Sequence, residues 1–252
     1  MSISMHHADL HIHTCLSPCG SLEMSPRNII RVAKAKGLQM IAITDHNTTG
    51  NVHVCVELGS REGIYVIPGC EVNTREEVHC LCYFPHLQAM EVFQGYLEER
   101  MTGVKNDPAR FGYQVVVDED DAILYEEERS LFVGIDDEVE GVAEQVHRLG
   151  GIFVPAHVDR PKNSLLSQLG FIPHGLVYDA LEVSRATTVM EFVEKHPELR
   201  GNRFLQNSDA HYLKDIATVH NAFYMDRLDW GCFKAAFREK KNPGSQINCS
   251  HG

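Results

Sequence analysis

Six stretches of this chain end or begin in a side chain able to hold a metal ion. Asp9-Leu-His11-Ile-His13-Thr14 carries two imidazoles two residues apart. On an extended strand such residues share a face, so both can reach one ion. Ile43-Thr44-Asp45-His46-Asn47 ends in another imidazole, Pro68-Gly69-Cys70-Glu71-Val72 carries a carboxylate, and Val78-His79-Cys80 opens on a further imidazole. Val154-Pro155-Ala156-His157 and Gln206-Asn207-Ser208-Asp209-Ala210-His211 complete the series. HxH alone also fits imidazoles on a half-buried strand, and His79 alone fits a packed histidine. Repetition at strand ends or edges is what chance placement rarely produces, and histidine with carboxylate is a donor set for zinc, manganese or iron.

Other chemistries are missing from the 252 residues. There is no Walker A loop, GxGxxG turn, GxSxG elbow or HExxH helix. The eight cysteines, at 15, 19, 55, 70, 80, 82, 232 and 249, form no CxxC pair, which argues against a structural zinc module. With 43% hydrophobic and 23% charged residues the chain has globular composition. The start, MSISMHHADLHIHT, lacks the order of a secretory signal and no apolar run approaches membrane-helix length, so a cytoplasmic location with no membrane partner is expected. A net charge of −12 disfavours a broad nucleic-acid footprint while leaving room for a locally positive pocket.

The elements that must position these side chains alternate between short apolar runs and helical patterns, which predicts an α/β fold with parallel strands. Ala8 to His13 reads as a strand, followed by the helix-start pair Ser25-Pro26 and a stop at Gly37. Met40 to Thr44, Tyr65 to Ile67, Val78 to Phe84, Ile152 to Pro155, Ala180 to Val183, Phe204 to Asn207 and Ala222 to Met225 repeat the strand signal, with helical spacing between most of them. The count approximates a barrel with one unit missing. Residues 1–241 are expected to form a single domain, with an acidic helical insertion or flap over about 102–137, and 242–252 a flexible tail. The acidic runs at 118–121 and 126–128 read as a solvated face.

DLHIHT, ITDHN, PGCEV, VHCLCYF, VPAHVDR and NSDAH, in that order from Asp9 to His211, resemble the PHP (polymerase and histidinol phosphatase) family. The resemblance implies a distorted seven-stranded (β/α)7 TIM-like barrel with two or three divalent ions, zinc, manganese or iron, at the carboxyl ends of its strands. It also implies hydrolysis of phosphate esters. Carried over, His11 and His13 match the first pair of ligands, Glu71 a carboxylate bridging two ions, and His79 and His157 the ligands of the second ion. Asp209 completes the first ion, and His46 with His211 match the third. The chain departs from the family pattern after HxH, where Cys19 stands at about the offset of a ninth ligand; a thiolate is a legitimate ligand, and a small packed cysteine is the alternative.

Divalent ions would outweigh the negative charge of Glu71, Asp209 and a Cys19 thiolate, which favours an anionic phosphate ester. A metal-bound water held by Glu71, Asp209 and His13 is the expected nucleophile, a bridging hydroxide in the attack. Arg160 and Arg185 are the candidates for the phosphate oxygens, and Asp9 for an acceptor orienting an imidazole. The expected substrate is a small phosphomonoester such as a nucleotide, sugar or histidinol phosphate, with no long nucleic acid as partner. A nuclease-type phosphodiesterase on oligonucleotide ends and an inactive metal-binding regulatory module are the alternatives.

Overall fold

The computed structural model describes residues 3–237 and the backbone of 247–248. Strand β1 (Ser4–Ile12) leads through helix α1 (Pro26–Ala35), β2 (Met40–Ile43) and α2 (Val52–Glu62) to β3 (Tyr65–Asn73). Next come β4 (His79–Tyr83), α3 (Leu87–Arg100), α4 (Pro108–Phe111), β5 (Val115–Val117), β6 (Ile123–Glu126), α5 (Val139–Arg148) and β7 (Ile152–Pro155). The chain closes with α6 (Leu165–Leu169), β8 (Leu181–Val183), α7 (Val189–Lys195), β9 (Phe204–Gln206), β10 (Asn221–Met225), α8 (Trp230–Ala236) and β11 (Ile247–Asn248). Helix starts follow local chemistry: the Ser25 side chain accepts from Asn28 N with Pro26 in the first turn, and Thr188 and Glu191 cap each other reciprocally on α7. No helix among the described residues is long and apolar enough to cross a membrane. Apart from β11, the tail expected at 242–252 lies outside the described residues.

The mixed α/β reading holds, but the strands do not all run parallel. Six strands form one curled sheet in the order β10-β1-β2-β3-β4-β7, with the two-residue β11 beyond β10. β4 is antiparallel to both β3 and β7, and β10 is antiparallel to β1. Only residues 74–78 separate β3 from β4, too few for the crossover a parallel neighbour needs. β8 and β9 make a separate parallel pair, so no continuous seven-stranded (β/α)7 ladder is present among the described residues. Isolated backbone bonds span the gaps: Asp179 N donates to Phe153 O at 2.9 Å and Val158 N to Glu182 O at 2.8 Å on one side, and His13 N to Ala210 O at 3.0 Å and Ala210 N to His11 O at 3.1 Å on the other, where Ile12 bridges Ala210.

The curl separates two apolar layers. Ala8, Leu10, Ala42, Ile67, Leu81, Tyr83, Val154 and Leu205 pack with Phe233 of α8 in one cluster. Ile41, Ile43, Cys70, Val72, Cys80 and Cys82 pack against α1, α2, α3 and α5 in the other. Ile12 belongs to this second cluster, although strand alternation would put it beside Ala8 and Leu10. The β1–β2 register shifts between Asp9 and Ile12, and that irregularity re-aims the strand end.

The acidic segment includes the four-residue helix α4. It carries the β5–β6 hairpin, whose turn is closed by Asp118 Oδ1 accepting from Asp120 N and Ala122 N. Arg27 holds the Glu119 carbonyl and the Asp120 carboxylate at 2.6 Å, and Asn51 anchors Val115 and Val117 to the body of the protein.

Candidate metal centre

Glu71, on the inward face of β3 and 1% exposed, is the hub of the site. Its Oε1 lies 3.1 Å from His79 Nδ1 and 3.1 Å from His157 Nε2. Its Oε2 lies 3.3 Å from His11 Nε2, 3.4 Å from His13 Nε2 and 3.1 Å from His46 Nδ1. Asp209 Oδ1 adds contacts of 3.4 Å to His11 Nε2 and 3.3 Å to His13 Nε2, and His211 Nδ1 is 3.5 Å from the same oxygen. Cys19 Sγ stands 3.7 Å from His46 Nε2 at the rim. All nine residues singled out as ligands therefore meet in one place, drawn from β1, β3, β4 and the loops after β1, β2, β7 and β9.

Positioning costs the backbone strain at two of them. His157 has φ 28° and Asp209 φ 50°, both in the left-handed region that non-glycine residues avoid. Asn47, at φ 51°, holds the neighbouring turn: its N–H donates to Glu71 O at 2.9 Å, and its side chain accepts from Asn73 N at 2.8 Å.

The donors fit a metal ion. His11 Nε2, His13 Nε2, Glu71 Oε2 and Asp209 Oδ1 give five recorded separations of 3.1–3.4 Å. Tetrahedral ligands about 2.1 Å from an ion stand about 3.4 Å apart. Glu71 Oε2 is buried with no partner in hydrogen-bond geometry, as an acceptor aimed at a cation would be. Three overlapping ligand groups, His11/His13/Glu71, His13/His46/His211 and His46/Glu71/His79, have their donor atoms within 4.8 Å of one another.

Electrostatics agree. Burial works against a charged His11, yet Glu182, Glu71 and Asp209 outweigh it and hold the imidazole well above its ordinary range. His13 is raised likewise, against burial, by hydrogen bonds to Asp209 and Glu71. Burial opposes ionisation of Glu71 and Asp209 too, but the facing imidazoles keep both carboxyls well below the usual range. Desolvation depresses His46 strongly, and it brings His211 down to about 4 with His13 adding to the effect. Burial, then Glu71 and Asp209, push the Cys19 thiol up to about 12. The cluster draws positive charge, and the raised His11 and His13 and the Arg160 guanidinium contribute it in the absence of an ion.

Arg160 and Arg185 both reach the cleft of about 450 Å³ above this cluster. Arg160 Nη2 is 2.5 Å from Asp209 Oδ2, and Arg185 Nη1 is 3.3 Å from Asp215 Oδ1. Asp9 does not orient an imidazole. Its oxygens accept from Ser208 N at 3.1 Å and Ala217 N at 2.9 Å, and burial raises its carboxyl to about 6. The carboxylate that meets His11 Nδ1 is instead Glu182 of β8, at 3.0 Å. His13 Nδ1 meets Ser17 Oγ at 2.8 Å, which in turn donates to the buried Asp45 at 2.7 Å. Glu182, Ser17 and Asp45 escape a reading by motif; a charged residue between Leu181 and Val183 in a buried strand is the one cue Glu182 leaves. Phe132 and Tyr212 also line the cleft, and Phe111 stacks on Phe132 with ring centres 5.9 Å apart.

The sequence model of the PHP domain matches residues 9–148. This chain belongs to the PHP domain family. That holds the expected phosphoesterase reading at the level of the family. An uncharacterized protein of Bacillus subtilis, YqxK, is 24% identical over 264 aligned positions, spanning 92% of this chain and 62% of the relative. The lesion-specific endonuclease PfuEndoQ of Pyrococcus furiosus superposes with a TM-score of 0.69 at 21% identity, covering 93% of this PHP chain and 56% of its own. An endonuclease Q complex with a 27-mer duplex bearing an abasic lesion at the active site superposes with a TM-score of 0.70 at 20% identity, covering 97% and 58%. The chain thus spans little more than half the length of these proteins, and the likeness is one of fold. It overturns the expectation of a small-molecule partner with no long nucleic acid: a protein of this fold was solved on duplex DNA, so a net charge of −12 does not exclude such a partner.

Proposed function

We propose that this chain is a metal-dependent phosphodiesterase of the nuclease type acting on DNA, carried by a single domain over residues 1–241 with about 102–137 as a flanking flap. The observation that carries the reading is the shared fold, over 97% of the chain, with an endonuclease Q solved on a duplex with an abasic lesion at its active site. The cleft is compatible with it, because its floor is the His/Glu/Asp cluster and its walls combine Arg160 and Arg185 with the aromatic faces of Phe132 and Tyr212.

In this reading His11, His13, Cys19, His46, Glu71, His79, His157, Asp209 and His211 hold two or three divalent ions, with zinc, manganese and iron all matching the donor set. Such ions, when bound, supply Lewis acidity toward the phosphoryl oxygens and an activated water as nucleophile. Glu71, Asp209 and His13 orient that water from the cleft floor. Arg160 donates to a non-bridging oxygen of the scissile phosphate while staying paired with Asp209, and Arg185, held by Asp215, meets the strand further along the rim. Phe132 and Tyr212 offer faces on which bases stack without regard to sequence.

The test is strand cleavage. Protein reconstituted with zinc, manganese or iron is incubated with end-labelled 27-mer duplexes with and without one abasic site. Metal-dependent internal cleavage is expected, falling at least about 100-fold in Glu71→Gln. Release of phosphate from terminal monoesters with no internal cleavage, under every metal, would overturn the reading.

A further inference from the structure

We propose that Glu182 is a positioning residue for the metal centre, holding His11 with Nδ1–H outward and the Nε2 lone pair inward while fixing the backbone of His157. The inference rests on the reading above that the cluster binds divalent ions, and it adds a group that holds the ligands without touching the ions.

The carboxylate is 1% exposed and stands in the middle of the three-residue strand β8, which no ladder joins to the main sheet. An isolated buried carboxylate is costly, so its partners must repay the desolvation. Three donors do so. His11 Nδ1 lies 3.0 Å from Oε1 and 3.1 Å from Oε2, Asn207 Nδ2 donates to Oε1 at 2.8 Å, and His157 N donates to Oε2 at 2.9 Å. These donors belong to β1, to the end of β9 and to the loop after β7. One side chain therefore ties together the sides of the site where strand pairing is interrupted.

The donor inventory dictates what Glu182 does. With both oxygens accepting, His11 must present its Nδ1–H, which leaves Nε2 bare toward His13 Nε2 at 3.1 Å and Glu71 Oε2 at 3.3 Å. The same carboxylate holds the N–H of His157, the residue at φ 28° whose Nε2 faces the other Glu71 oxygen. An amide cannot replace it, because its NH₂ group would point at either the Asn207 or the His157 donor. Carboxylates behind ligating histidines raise ligand basicity and fix ring orientation, and their loss costs about 10–100-fold in metal affinity.

The experiment titrates metal-stripped wild type and Glu182→Gln with zinc in competition with a chromophoric chelator, and records ¹⁵N-resolved imidazole signals of the zinc-loaded proteins. Glu182→Gln is expected to bind zinc about 10–100-fold more weakly and to lose a slowly exchanging His11 Nδ1–H that the wild type retains. Wild-type affinity with that signal intact would overturn the inference, leaving Glu182 as packing between the two sheets. A wild type that takes up no zinc, manganese or iron would instead overturn the metal-centre reading itself. Should Glu182→Gln fail to fold, Glu182→Asp, which keeps the charge but retracts it by one methylene, carries the same test.

Discussion

Five imidazoles surround one carboxylate at Glu71, and the protons among them stand where ions would. His11 and His13 are held above the ordinary imidazole range in the metal-free protein, so they keep protons to higher pH than a free imidazole does, and an incoming ion must displace them. His46 and His211 are depressed and offer bare nitrogens already. Zinc uptake at pH 7 is therefore expected to release about one proton or more, and affinity to fall as pH is lowered from 7. Calorimetry in buffers of different ionisation enthalpy reads this directly; a binding enthalpy independent of buffer would refute it. At this scale the clustered side chains were legible in the sequence because imidazoles and carboxylates recur at strand ends. Glu182 was not, because its partner His11 is 171 residues away and its one cue, a charge between Leu181 and Val183, does not say what it meets.

Among the elements, β1 is read in two frames. Ala8 and Leu10 face the inner apolar layer, and after the register shift His11 and His13 reach the site while Ile12 turns to the outer layer. Helix α2 shows a comparable constraint at Gly59, where a Cβ would stand 2.9 Å from Ile64 O and closer still to Val66 Cγ2. Gly59→Ala is expected to destabilise by about 1–3 kcal/mol, read as a lower urea midpoint at unchanged m-value. An unchanged midpoint would mean that the α2–β3 contact yields freely. The start of α1 was legible from Ser25-Pro26, whose chemistry is local. The direction of β4 was open to the same kind of reading, through the short link at 74–78, but apolar runs alone do not encode strand direction. The β5–β6 hairpin stayed hidden because Ile123, Leu124 and Tyr125 are all exposed, leaving no alternation to detect.

For the molecule as a whole, the contrast is between a net charge of −12 and a cleft whose working groups are cationic or aromatic. On the proposed reading, such a cleft would grip DNA over few phosphates. If Arg160 and Arg185 supply the contacts, log K for a short duplex should fall with log salt at a slope near about −2, with Arg185→Ala reducing it by about 1. Filter binding or anisotropy over a salt series measures it; a slope as steep as that of basic DNA-binding proteins would place the contacts elsewhere. Whole-chain charge misled the reading of partners because it averages over the surface, whereas Arg160 and Arg185 line the cleft itself. The same span of chain that makes the centre also sets when it can exist. His11 and His13 come from the first strand, Asp209 and His211 from beyond the ninth, and the Ile12–Ala210 bridge brings them together. A chain still being synthesised and stopped short of residue 209 has three of the four donors of the His11, His13, Glu71 and Asp209 set and lacks the His13/His46/His211 group, so the cluster closes only when the last strands are in place.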